Sequence, residues 1–205
     1  MWCLWLLGSW ALTIGLDAPA SAVRLMIFAS VTGIMVLWPV WRLSQGSDRI
    51  GPGIIFRDWL SLNLVFQAVV WPLKISADWD LAQTLWLDTA VAGWTLLTAL
   101  LVAVGCQSSH GAIRTVAMAL CLLLVLGEPL ILALVNLSMS VGDFAGPTWC
   151  MRISPIQALW VLAGPSLSFT DIPWSSAVVS IGLVATIGWL IAAWIMRRQD
   201  EPSRR

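Results

Sequence analysis

LAQTLWLDTAVAGWTLLTALLVAV, residues Leu81–Val104, decides the fold. Its one charged residue is Asp88. A run of about 17–25 apolar residues is what a helix needs to cross the hydrocarbon core of a bilayer. Lipid offers the backbone no hydrogen-bond partners, so a crossing segment must satisfy its own N–H and C=O groups, as a helix does. The alternating strands of about ten residues that build an outer-membrane barrel are not found on either side of this stretch.

Five more apolar segments flank it. They cover about 2–16, 25–41 and 59–73 before it, and 112–135 and 176–196 after it. Charges punctuate them: Arg24 and Arg42 bracket the second segment, and Asp58 and Lys74 bracket the third. The whole chain is 59% hydrophobic and 11% charged, with a mean hydropathy of +0.86. Soluble domains carry roughly 25% charged residues, so a chain this apolar cannot cover a soluble surface. The reading is an all-α polytopic transmembrane bundle of about six spans, one integral membrane domain over 1–205. A connection at 136–175 precedes the sixth span, and a short tail at 197–205 follows it.

The first segment is short for a span. Ala18-Pro19-Ala20 and Ala20-Ser21-Ala22 resemble a signal-peptidase site, but no Lys or Arg precedes the apolar run as a signal peptide requires. A retained short helix is the reading, with a cleaved signal as its alternative.

Orientation follows from Lys and Arg. Arg42, Arg49 and Arg57 lie between spans two and three, Arg114 between four and five, and Arg197, Arg198, Arg204 and Arg205 after six. Alternation puts all of these on one side and leaves Arg24, Lys74 and Arg152 on the other. The basic side is cytoplasmic, so both termini are expected in the cytoplasm of a plasma (inner) membrane protein. Fifteen Trp and no Tyr fit this frame. Trp38, Trp41, Trp59, Trp189 and Trp194 fall near inner ends, and Trp71, Trp79 and Trp86 near outer ends, where amphipathic rings sit at headgroup level.

Within the outer connection, Ser154-Pro155 reads as an N-cap followed by proline at the first helical position. Ile156 to Ala163 then reads as a short helix ended by Gly164-Pro165. It is too short to span, and is expected in the outer interface or dipping back into the protein.

Two acids sit inside spans. Asp88 lies about two turns below the outer end of span four, and Glu128 at a similar depth in the antiparallel span five. An ionised carboxylate costs at least about 2.5–3.5 kcal/mol there, so each is expected to be protonated, paired or beside a wet cavity. Arg24, Lys74 and Arg152 are the candidate counter-charges. Thr84, Asp88 and Thr95 share one face of span four, and Asn63 and Gln67 share one face of span three. Pro129, directly after Glu128, removes a backbone hydrogen bond and weakens the fifth helix there. Such features build transport sites and equally the polar glue of plain bundles. Ser176, Ser180, Gly182, Thr186, Gly188 and Ala192 give span six a small-residue pattern, suited to contact within the chain or with a homo-oligomer partner.

Several classes are excluded. Zero net charge gives no basic field for nucleic acid. Cys3, Cys106, Cys121 and Cys150 show no C-x-x-C spacing and His110 is the single histidine, so neither a metal site nor a cofactor is expected. No phosphate loop, H-E-x-x-H or G-x-S-x-G occurs, and no enzymatic activity is expected of this chain. Asn136-Leu137-Ser138 fits a glycosylation triplet, of use only in a secretory-pathway host.

The outline is similar to permease subunits of the ABC-2 type, which have six spans, cytoplasmic termini and short outer helical elements before the last span. Ser154-Pro155-Ile156-Gln157-Ala158-Leu159 resembles the Asn/Ser-Pro stretch they carry there. The interfacial helix that such permeases place before span one has no counterpart, and most of the chain is unmatched. The resemblance implies a membrane subunit of a transport or export assembly that relies on a separate ATPase subunit. A non-catalytic membrane scaffold or assembly factor is the alternative.

Overall fold

The computed structural model describes residues 20–45, 50–77, 79–108, 110–138, 154–163 and 174–200. All of the regular structure among them is helical. The segment at 2–16, with its signal-peptide alternative, lies outside the described residues, as does most of the connection at 136–175.

The first described helix starts as α1 (Ala20–Thr32), widens into a π-helical segment (Gly33–Leu37) and resumes as α2 (Trp38–Ser44). Pro39 explains the widening. Its ring would collide with the carbonyl of Met35 in a regular α-helix, and it has no N–H to offer that carbonyl. The wider π turn makes room, with the Trp38 N–H donating to Gly33 O.

Helix α3 (Pro52–Ala77) opens on a proline, whose missing N–H costs nothing at a first helical position. It starts seven residues before the expected Trp59, because Arg57 and Asp58 do not end it. Asp58 is instead neutralised by Arg42, whose Nε donates to Asp58 Oδ2 at 2.6 Å and whose Nη2 donates to the same oxygen. Helix α4 (Leu81–Gln107) is started by Asp80, which accepts from the Leu81 N–H at 2.7 Å. Helix α5 (Gly111–Ser138) contains Pro129 without ending there. The short α6 (Pro155–Leu162) and long α7 (Trp174–Asp200) complete the order. As expected, Ser154 precedes α6, and Ser154 O accepts from the Ala158 N–H at 3.1 Å.

Helix α4 is the hub, packing against α2, α3, α5, α6 and α7. Its closest partner is α7, and glycine sets the distance. A Cβ added to Gly93 would stand 3.5 Å from Gly182 N, so the two backbones are in contact. Ala185 is fully buried in the same interface, Gly188 rests on Leu100, and the Trp189 indole N–H donates to Leu96 O at 3.1 Å. Gly182 and Gly188 thus serve contact within the chain. The opposite face of α7 exposes Leu183, Val184, Ile187, Leu190 and Ile191, as a lipid-facing surface would.

Two hydrophobic clusters make the interior. One gathers α1, the π segment, α3, α4 and α6 around Ile34, Phe66, Leu87 and Leu159. The other joins the opposite ends of α2, α3, α4 and α5 around Leu43, Ile55, Cys106 and Cys121. Among the described residues four runs are long and apolar enough to cross a membrane: Val23–Ser44, Pro52–Ile75, Leu81–Gln107 and Gly111–Ile131. Val178–Ala192 is a shorter apolar stretch. Hydroxyls in these helices donate back to a carbonyl four residues earlier, as Ser30 does to Met26 and Thr98 to Trp94, so they cross apolar surroundings without an outside partner.

Candidate functional site

The α3–α4 interface carries a polar seam. Trp59, Asn63, Gln67 and Trp71 follow at intervals of four along α3, one stripe that drifts slowly around the helix. At the end of the seam near the start of α3, the Trp59 indole N–H donates to Thr95 Oγ1 at 3.0 Å, and Asn63 Nδ2 donates to Trp59 O at 2.9 Å. Thr95 has one hydroxyl proton and three acceptors in range: Val91 O at 2.8 Å, Ala92 O at 3.2 Å and Asn63 Oδ1 at 3.3 Å. Two turns further along α3, Trp71 Nε1 donates to Gln67 Oε1 at 2.9 Å, and Gln67 Nε2 donates to Asp88 Oδ1. Indoles are donors only, so each group starts at a tryptophan; the Gln67 amide relays the second to the carboxylate.

The structure therefore joins Asn63 to Thr95 and Gln67 to Asp88. It does not join Thr84 to them. Thr84 is fully buried, and its hydroxyl donates to Asp80 O at 3.0 Å.

Asp88 and Glu128 form no hydrogen bond or ion pair with each other among the described residues. Asp88 faces α3, where Gln67 takes it. Glu128 lies on the face of α5 that buries Ala117, Cys121 and Val125. Its Oε1 is buried without a hydrogen-bond partner. Their depths also differ more than expected, because α5 runs on to Ser138. Glu128 lies about 15 Å from that end, and Asp88 about 10 Å from the start of α4.

The candidate counter-charges do not serve the acids. Arg24 Nε donates to Ala163 O at 2.9 Å, with its guanidinium carbon 5.2 Å from the Trp160 ring centroid. The Phe28 ring also packs on Trp160, with 5.6 Å between ring centroids. No ion pair joins Lys74 to either acid among the described residues, and Arg152 lies outside them.

Arg24 is one half of a clasp on α6. The other half is Gln83, 2% exposed, whose Nε2 donates to Leu162 O at 2.8 Å. Two carbonyls at the carboxyl end of α6, left open by the helix, are thus capped from α1 and α4. Ala158, Leu159, Leu162 and Ala163 are buried beneath it. Its amino end reaches α5, where Pro155, Ile156 and Val125 help line a small apolar pocket.

Sequence reasoning passed over several of these residues. Trp59 and Trp71 read as interface anchors, yet the spacing of four with Asn63 and Gln67 was visible. Arg42 and Asp58 read as span boundaries, yet opposite charges across a short turn invite a pair. Gln83 gave no signal, since its role depends on an element distant in sequence. Among the described residues no three His, Cys, Asp or Glu converge on a metal position. Cys106 and Cys121 are buried free thiols. No known family, curated protein or solved structure matches the chain.

Proposed function

We propose that the chain is a six-span membrane subunit of a transport or export assembly, with α6 as an outer interfacial element and both termini in the cytoplasm of a plasma (inner) membrane. Glu128 carries this reading. An acid with a buried, unpartnered oxygen, one residue before a proline that interrupts the helix ladder, is a costly arrangement for a lipid-embedded helix to keep for stability alone. With no nucleotide-binding motif in the chain, the energy source is a separate ATPase subunit. Mild-detergent purification at native expression levels tests this, with partners identified by mass spectrometry. An ATPase should co-purify, and Glu128→Gln should lower export while leaving the complex assembled. A chain that purifies alone, with Glu128→Gln neutral in every export phenotype, sinks the proposal.

A non-catalytic scaffold is the second reading, and the seam favours it. Gln67–Asp88 and Trp59–Thr95 satisfy each other inside the chain, which is how polar glue behaves. On that reading Asp88→Leu lowers thermal stability and leaves the partner set unchanged.

A further inference from the structure

Among the described residues, two buried polar side-chain atoms lack a hydrogen-bond partner: Glu128 Oε1 and Trp94 Nε1. One accepts and the other donates. Their places in the fold are related. Helices α4 and α5 run antiparallel across the turn at 108–110, and they touch where a Cβ on Gly105 would stand 2.9 Å from Ala117 Cβ. Eleven residues back along α4 from Gly105 is Trp94, and eleven residues on along α5 from Ala117 is Glu128. Eleven residues are about three helical turns, roughly 16 Å, and return to within about 20° of the starting face. Trp94 and Glu128 therefore stand at one level, each on the face its helix turns to the other at Gly105 and Ala117.

The amino end of α6 enters at this level. Helix α6 packs against both α4 and α5, and Pro155 and Ile156 share a pocket with Val125, one turn from Glu128. The positive end of a short helix dipole favours an acceptor beside it. The charged side chains of the elements packed on α5 are engaged elsewhere: Asp88 by Gln67, Asp80 by the Leu81 N–H, and Arg42 by Asp58.

We infer that Trp94 and Glu128 are two halves of one buried polar site at the α4–α5–α6 junction, and that its ligand is a captive water. Water suits the pair because it accepts from the indole N–H and donates to the carboxyl oxygen. Buried waters of this kind hold otherwise unsatisfied groups through two to four hydrogen bonds. The inference builds on Glu128, the residue behind the transport reading, but does not need transport to be true.

The test is the indole spectrum of the full-length protein, labelled with ¹⁵N-tryptophan in detergent micelles. Trp94→Phe assigns the Trp94 signal by its loss. In the unmodified protein the Trp94 indole proton should show magnetisation transfer to a water that exchanges slowly. Glu128→Leu should shift this signal and remove its protection, while Glu128→Gln, which keeps an acceptor, should leave it in place. The inference is overturned if the unmodified protein shows no transfer from Trp94 to bound water, a result that needs no folded variant. It is equally overturned if folded Glu128→Leu leaves the signal unmoved. Export activity is read separately, so loss of the transport reading does not alter either outcome.

Discussion

Alanine at Gly105 and at Gly93 should push stability in opposite directions, although both changes add one methyl group to the same helix. The gain common to both is backbone entropy: glycine in a helix interior costs about 0.8–1.0 kcal/mol relative to alanine. The surroundings differ. At Gly93 the new carbon would meet Gly182 N at 3.5 Å, Gly182 Cα at 3.6 Å and Ile181 Cγ2 at 3.7 Å, all ordinary contacts. At Gly105 it would meet Leu43 Cδ2 at 2.6 Å and Ala117 Cβ at 2.9 Å. The leucine tip can rotate away, but the Ala117 Cβ is fixed to its backbone, so α5 must retreat. Overpacking of this kind costs about 1–3 kcal/mol. Gly93→Ala should therefore gain up to about 1 kcal/mol, and Gly105→Ala should lose up to about 2 kcal/mol. Thermal unfolding of both variants in one detergent, followed by intrinsic fluorescence, compares them with the propensity gain cancelled. Ala117→Gly added to Gly105→Ala should restore most of the loss by vacating the contested space. A Gly105→Ala protein as stable as Gly93→Ala would refute the close packing of α2, α4 and α5.

Three other outcomes follow from the same contacts. Gln67→Leu removes the donor from part-buried Asp88 and should cost about 1–3 kcal/mol, whereas Asp88→Asn retains an acceptor and should cost clearly less; denaturant or thermal midpoints in micelles decide between them. Because the Arg42–Asp58 pair is mostly buried, Arg42→Leu alone should destabilise more than Arg42→Leu combined with Asp58→Leu, since the single change leaves an acid without its cation; equal losses would show the pair to be idle. Gln83→Leu opens Leu162 O and should raise amide exchange across Pro155–Leu162 while leaving exchange in α3 unchanged, as measured by hydrogen–deuterium exchange mass spectrometry.

The helices were legible because each is a local property of its segment. Long apolar runs bounded by turns located α4, α5 and α7 to within four residues, and the Ser154-Pro155 cap located α6, whereas α3 begins seven residues before its expected start. The errors at the boundaries have one cause. Charge was read as the end of a helix, whereas Arg57 and Asp58 continue α3 because Arg42 arrives from α2 to pair with Asp58. The π segment was illegible for a different reason. Pro39 announces a local conflict, but whether a helix kinks, ends or widens there depends on what packs around Gly33, Ile34 and Met35.

The candidate site divides along the same line. Periodicity placed Asn63 with Gln67, and Thr84 with Asp88 and Thr95; across the two faces Asn63 meets Thr95 and Gln67 meets Asp88, while Thr84 turns back to Asp80 O. Asp88 and Glu128 were expected at similar depth, but depth does not fix rotation about the helix axis. Asp88 turns to α3, and its amide partner removes any need for a second group. Glu128 lies on the buried face of α5, where no cation pairs with it among the described residues, and Arg24 is committed to Ala163 and Trp160. The two acids therefore play different parts despite similar chemistry. Asp88 belongs to a closed seam whose removal should be felt as lost stability. Glu128 Oε1 has no protein partner among the described residues, so changes there should register in what the protein binds or moves before they register in how well it folds.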